Sequence, residues 1–317
     1  MILIVGGMGF IGLNTALRLL EVGESVVITQ HSAHRVPDSL APYLNDRVFV
    51  ERVDVTRSYE VMEAAHRHKA SSIISFAAPP ARGISPQEDY RIYTLGLQSL
   101  LETTRVLGLG RLSLASSTSV YGSLPAGPFR EEMPLPIGSR TQVEAFKKAM
   151  EIHASHYAAR ANIEVVALRI GSIYGPYYYS MFNPMSRMCH AAIRGEEPDF
   201  SDRPGGAISE DDEGDWTYVA DLARGIQLLH TADKLSHDVY NIGSGRTCST
   251  KEIFEAVQKA VPGARCSALK PGRSPAANPP NPVMDLSRIS GDTGYEPEHD
   301  IDSGIAAYVE HLRSNPQ

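Results

Sequence analysis

MILIVGGMGFIGLNTALRLLE, residues 1–21, is the stretch from which the rest of the chain is read. A short apolar run, Ile2 to Val5, is broken by Gly6, Gly7, Gly9 and Gly12, after which Ile11, Leu13, Ala16, Leu17 and Leu20 recur at helical spacing. That pattern is strand, glycine turn, helix. In Gly6-x-x-Gly9-x-x-Gly12 each glycine has a physical task. Gly6 permits a turn no side chain tolerates, Gly9 lets backbone approach a pyrophosphate, and Gly12 lets the helix pack tightly on the strand. The first helical N–H groups, at Phe10 and Ile11, then face an anion. The turn is a candidate dinucleotide cradle.

Further along, Gly23 closes the first helix and Ser25 to Thr29 reads as a second strand. Dinucleotide folds that select NAD carry an acid at this strand's end, about 20 residues past the glycines. Here the residues are Thr29, Gln30, His31 and Ser32, followed by His34 and Arg35. No acid repels a 2′-phosphate and His31 or Arg35 is able to hold one, so the expected cofactor is NAD(P), leaning to NADP. Further strands are expected at Arg47 to Val53, Ser71 to Phe76, Arg111 to Ala115 and Ile163 to Ile170. Helices are expected at Tyr59 to His68, Tyr90 to Leu107 and Thr141 to Ala161. After the fourth strand, Ala77 and Ala78 are small enough for backbone to lie against a flat cofactor ring. The alternation predicts an α/β fold, a Rossmann-type doubly wound parallel sheet, with ligands at the carboxyl ends of the strands.

Beyond Gly171 the elements shorten and the loops lengthen. The expected division is a dinucleotide-binding domain over 1–171 and a smaller substrate-binding lobe over 172–317, interleaved with it. Helices are expected at Phe182 to Arg194, Asp221 to Thr231, Thr250 to Val261 and Ser303 to Arg313, with a short strand at Val239 to Ile242. The acid- and glycine-rich stretch from Asp199 to Asp215 reads as a loop able to act as a lid.

Composition bounds the function classes. The 317 residues are 42% hydrophobic, enough for a sizeable core, and the net charge of −7 with no long basic run argues against a nucleic-acid surface. Three widely spaced cysteines suit neither a disulfide framework nor a zinc site, and no metal is expected. No apolar run approaches the roughly 20 residues needed to cross a bilayer, and the first strand starting at residue 2 leaves no room for a leader, so a cytoplasmic protein is expected.

The chain resembles the extended short-chain dehydrogenase/reductase family of the NAD-dependent epimerase/dehydratase type. The likeness rests on GGMGFIG at 6–12, DV at 54–55, FAAPP at 76–80, SSTSVYG at 116–122, IYGP at 173–176, DWTYVAD at 215–221 and YNIGSG at 240–245. It implies cofactor contacts at Gly6, Gly9, Phe10, Ile11, Gly12, Asp54, Val55, Ala77, Ala78 and Lys147, a small-molecule substrate and a homodimer. Family chemistry needs a Ser or Thr at the end of the fifth strand, which falls on Ser117, and a Tyr-x-x-x-Lys on the next helix, where Tyr exchanges a proton and Lys holds the nicotinamide ribose. Glu151, an acid four residues on, selects Lys147 as that lysine, and Val143 then stands where the tyrosine belongs. A register shifted by one would pair Glu144 with Lys148 instead.

Valine moves no proton, so three readings are open. Another group replaces the tyrosine, with Tyr121, Tyr174 or one of Tyr177 to Tyr179 as candidates; a tightly bound NAD(P) serves a lyase or isomerase step; or the protein is a non-catalytic NAD(P)-binding sensor or scaffold. The first makes it an oxidoreductase or epimerase acting on a secondary alcohol or carbonyl of a small polar metabolite. Relatives that use nucleotide sugars carry an arginine where this chain has Gly214, and another where it has Lys270. Losing one cation and exchanging the other for a point donor makes a nucleotide diphosphate a poorer ligand.

Overall fold

In the computed structural model, residues 1–31, 36–80, 83–203, 208–275 and 277–315 are described. Two compact units are built from interleaved segments: 1–120, 137–169 and 223–240 in the first, 121–136, 170–222 and 241–317 in the second. The chain enters through β1 (Ile2–Val5), α1 (Phe10–Glu21), β2 (Val26–Gln30), β3 (Val48–Arg52), α2 (Ser58–Arg67), β4 (Ser72–Ser75), α3 (Pro86–Leu107), β5 (Arg111–Ser117), α4 (Gln142–Ala161) and β6 (Glu164–Ile170). It continues with β7 (Ser172–Tyr174), α5 (Pro184–Arg194), β8 (Glu213–Tyr218), α6 (Val219–Thr231), β9 (Val239–Ile242), β10 (Thr247–Ser249), α7 (Thr250–Ala260), α8 (Ser287–Thr293) and α9 (Ile301–Ser314).

The main sheet runs β3-β2-β1-β4-β5-β6-β9, and β1 pairs in parallel with both β2 and β4. This is the Rossmann-type doubly wound sheet. Strand order reverses between β1 and β4, and that crevice is where such a sheet takes a ligand. The strands are near-continuous apolar runs because both faces are covered: Leu3, Ile4, Val27, Ile28, Ile73 and Ile74 are fully buried. In the second unit, β7 pairs in parallel with β8, and β8 antiparallel with β10. Its core includes Met185, Met188, Cys189, Ile253, Val257, Ile305 and Tyr308. Cys189 and Cys248 are buried and all three cysteines are free thiols.

Helix α3 starts four residues before the expected Tyr90. Ser85 accepts from the Glu88 N–H as N-cap and Pro86 occupies the first helical position, a start signal that the apolar periodicity does not carry. The stretch beginning at Asp199 ends in β8. Its later part is tied down, with Ile208 buried and the Ser209 and Ser274 N–H groups donating to Asp212. The short elements β7, β10 and α8 have no counterpart in the sequence expectations.

Beneath the main sheet, Arg111 donates to the carbonyls of Leu229, His230 and Ala232 at 2.7, 2.9 and 2.8 Å, placing a cation on the C-terminus of α6. The His230 ring is buried between Ser113 and Ser72, each hydroxyl 2.8 Å from a ring nitrogen. Burial, then the Arg111 charge, pushes its pKa down to about 3. The unfolded chain therefore binds a proton at His230 that the folded chain refuses, and stability is lost as pH falls from about 6.5 towards 3, by up to about 4–5 kcal/mol. Urea melts from pH 7 to pH 4 should show a shallower decline for His230→Gln than for the parent, even though the variant is less stable at pH 7. Parallel declines would remove His230 from the acid transition.

Candidate active site

The glycine turn has the geometry its spacing predicts. Gly6 takes φ +76°, and a Cβ there would lie 3.0 Å from the Ala77 nitrogen, so the tips of β1 and β4 touch at the switch point. A Cβ on Gly12 would lie 2.6 Å from the Gly7 Cα and 2.7 Å from the Gly6 carbonyl oxygen. Gly12 thus seats the helix against the turn itself. Gly9 is the N-cap of α1 and no side chain caps that end, which leaves the approach to the Phe10–Gly12 turn clear. Thr29 on β2 accepts from the Gly6 N–H at 3.1 Å, fastening the turn to the neighbouring strand.

Around this cradle, His31 is exposed, and Arg35 lies outside the described residues. Gln30, at the tip of β2, keeps its Oε1 buried with no hydrogen-bond partner among the described residues, a polar atom the sequence reading passed over. The Asp54 carboxylate accepts from the Thr56 N–H and hydroxyl at 2.9 and 2.7 Å, and so is occupied by its own turn. Val55 packs against Gly96 of α3; Ala77 is half-buried and Ala78 exposed.

At the tip of β5 the structure brings together Lys147 and the strand end. The Lys147 Nζ donates to the Ala115 carbonyl at 2.5 Å. Burial pushes its pKa down to about 8, with the Glu151 charge opposing. Glu151 itself is paired with Arg169 of β6 at 2.7 Å and accepts from the Ser116 hydroxyl. Ser117 accepts from the Ser119 N–H at 3.1 Å and retains its own hydroxyl hydrogen for another acceptor. The Ser119 hydroxyl is buried with no partner among the described residues. Glu144 and Lys148 form a separate buried pair at 2.6 Å that binds the adjoining loop, Glu144 accepting from the Arg140 N–H and Lys148 donating to the Gly138 carbonyl. Val143 is 44% exposed.

The two tyrosines expected as substitutes are in the second unit and enclosed. Tyr121 is fully buried, stacked on Phe129 at 4.8 Å, and its hydroxyl donates to the Asn241 Oδ1 at 2.7 Å. Tyr174 is buried against Tyr218, and burial raises its pKa strongly. Both side chains are buried. Tyr177 meets His311 edge-on at 5.1 Å, and Tyr179 is exposed. A cavity of about 630 Å³ opens instead between α3 and α4, lined by Val55, Ala77, Tyr93, Ala115, Phe146 and Lys147 among others. Tyr93 is the residue that the sequence reading did not single out, because α3 reads as an amphipathic core helix.

The sequence profile of the NAD dependent epimerase/dehydratase family matches residues 2–243. The chain belongs to that family. It is 30% identical over 300 residues to a UDP-glucose 4-epimerase of Erwinia amylovora, covering 86% of both chains, and 28% identical over 327 residues to a dTDP-glucose 4,6-dehydratase of Streptomyces niveus, covering 99% of this chain and 93% of that one. The fold is that of a dTDP-glucose 4,6-dehydratase from Bacillus anthracis str. Ames solved in complex with NAD, with a TM-score of 0.83, 20% identity and coverage of 99% and 97%. Among the described residues no helix is long and apolar enough to cross a membrane.

Two adjacent residues of β8, Gly214 and Asp215, have well-defined surroundings in the second unit. At Gly214, a Cβ would sit 2.6 Å from the Trp216 indole nitrogen, so that ring occupies the space a side chain would need. Asp215 is buried and accepts from the Ser244 and Gly245 N–H groups of one loop and from the Met284 N–H of another, so it ties two loops to β8.

Lys147 also carries a stability signature. Below pH 8 the folded and unfolded chains both hold its proton, and the buried charge costs about 3 kcal/mol. Between pH 8 and about 10.5 the folded chain releases that proton first, the unfolded chain binds more protons, and the cost disappears. Lys147→Met should therefore melt higher than the parent at pH 7, with the gap closing towards pH 10.5. A gap independent of pH would show that Lys147 is not buried as a charge.

Proposed function

We propose that this protein is an NAD(P)-dependent enzyme that interconverts a secondary alcohol and its carbonyl, as an oxidoreductase or as an epimerase passing through that step. The observation that carries the reading is Lys147, a buried amine anchored to the Ala115 carbonyl beside Ser117, at the carboxyl end of the sheet. A buried lysine that costs stability has no reason to persist in a purely structural role. The cradle fits the cofactor. Gly6 and Gly12 leave no room for side chains, the uncapped end of α1 receives the pyrophosphate, and Ala77 and Ala78 give a flat approach. When bound, the nicotinamide accepts and returns a hydride. Lys147 holds the ribose hydroxyls and Ser117 donates to the substrate oxygen, aligning it for proton transfer.

At the adenosine end a neutral Gln30 stands where an acid would enforce NAD, and its buried Oε1 is free to accept from a ribose hydroxyl. Nothing there repels a 2′-phosphate, and exposed His31 favours one, so NADP is the preferred cofactor and NAD an acceptable one. The likeness to UDP-glucose 4-epimerases and dTDP-glucose 4,6-dehydratases supports a sugar as the substrate, and the Trp216 indole filling the Gly214 site supports a carrier less charged than a nucleotide diphosphate. The assembly proposed is a homodimer.

Denaturing the purified protein and identifying the released nucleotide, then titrating the emptied chain with NAD+, NADH, NADP+ and NADPH, tests the reading. Micromolar or tighter binding, with Lys147→Met weakening it about tenfold or more through loss of a charged hydrogen-bond donor, is expected. No binding of any of the four would sink it. Val143→Tyr adds a second test: a gain in alcohol or carbonyl turnover shows that position 143 faces the reacting atoms.

A further inference from the structure

Resting on the nicotinamide-dependent reading above, we propose that Tyr93 of α3 supplies the proton-transferring hydroxyl that position 143 lacks. Tyr93 lines the same cavity as Lys147, Ala77 and Ala115. The Lys147 ammonium lies over its ring, 5.9 Å from the centroid. The ring is also stacked on Phe146 at 4.3 Å with planes 19° apart, and Tyr90 flanks Phe146 at 6.1 Å. Phe146 is one helical turn beyond Val143, so the helix that lost its tyrosine provides the platform on which a neighbouring helix presents one.

The Tyr93 hydroxyl makes no hydrogen bond among the described residues, which sets it apart from Tyr121, Tyr157, Tyr295 and Tyr308, whose hydroxyls donate to Asn241, Glu102, Gly243 and Ser186. A half-buried phenol without a partner among the described residues, beside a cation, in a cavity whose lining includes the strand ends at Ala77 and Ala115, is placed for transfer to a ligand. Burial, aided by the Asp89 charge, pushes its pKa up to about 12, so in the free protein it is held in the donating form.

The step balances. As a substrate carbonyl carbon gains a hydride, its C=O π bond opens, the Tyr93 O–H bond breaks, and the proton passes to the new alkoxide oxygen. The phenolate left behind, on the ring that the Lys147 ammonium overlies, regains a proton from water. In the oxidising direction the phenolate would take the alcohol proton as the carbon gives up its hydride to the oxidised nicotinamide nucleotide and the C=O bond forms. A bound oxidised nicotinamide would supply a positive charge that favours the phenolate.

Tyrosine ¹³Cζ NMR tests this directly, with the Tyr93 signal assigned by its loss in Tyr93→Phe, a change that keeps the ring and its stack. The Tyr93 midpoint should fall by at least one pH unit when the oxidised nucleotide is added and by less with the reduced form, and Lys147→Met should raise it. In turnover, Tyr93→Phe should bind nucleotide within about threefold of the parent yet lose at least about 100-fold in rate. Nucleotide binding with an unmoved Tyr93 midpoint, or full turnover by Tyr93→Phe, overturns the assignment of Tyr93 alone. Absence of nucleotide binding overturns the nicotinamide reading together with it.

Discussion

The ion pair between Glu151 and Arg169, joined by the Ser116 hydroxyl, is the constraint on which the first unit's site depends. Its side chains are 9% and 5% exposed, so each charge is held out of water and is tolerable only because the other is there. Removing one partner of such a pair typically costs about 3–5 kcal/mol. The three residues belong to α4, β6 and β5, so the pair sets the height and rotation of α4 over the two strands. Once α4 is fixed at Glu151, Lys147, one turn earlier on the same face, has one place to go: the carbonyl of Ala115.

The same accounting separates Lys147 from Lys148. Adjacent helical positions differ by about 100°. Lys148 turns towards the 138–140 loop, where Glu144 neutralises it at 2.6 Å. Among the described residues Lys147 has no carboxylate within ion-pair distance, and it meets a carbonyl and an aromatic face, so its charge is the poorly compensated one. That imbalance marks function: a compensated pair fixes a loop, whereas an uncompensated buried amine is held ready for a ligand's oxygen atoms. The acid–lysine spacing in the sequence singles out Lys147, and the physical reason is that Glu151 is used by Arg169.

Local signals with strict periods were the legible part. The glycine turn, the apolar strands and the helices with clear caps are short-range features, and the alternation of strand and helix leaves few topologies. The start of α3 was missed by four residues because Ser85-Pro86 signals a start that hydrophobic periodicity does not. β7 and β10 were missed because three-residue strands carry no period. Site chemistry was less legible, for a reason specific to tyrosine: its ring serves packing and its hydroxyl serves chemistry, and sequence does not say which is in use. Tyr121 and Tyr174, beside family motifs, turn out enclosed, while Tyr93, inside an ordinary-looking amphipathic helix, faces a cavity. Gln30 was seen only as a missing acid; its unpartnered Oε1 requires coordinates.

A proton-transfer site is defined by where its groups meet, and not by which helix carries them. The Tyr-x-x-x-Lys spacing works because residues four apart share a helix face, which brings a phenol and an ammonium together at no cost in long-range order. Here that local solution is absent, and α3 presents an aromatic ring to the same ammonium across a helix–helix contact, with Phe146 as the surface it rests on. The arrangement asks more of the fold, because the relative position of α3 and α4 becomes part of the chemistry. Under the proposed assignment the proton would come from α3, whereas Val143 in the first turn of α4 is an apolar, part-exposed side chain. Under that assignment a substrate would present its reacting oxygen towards α3, and the cavity lining between the two helices would then take part in selecting it.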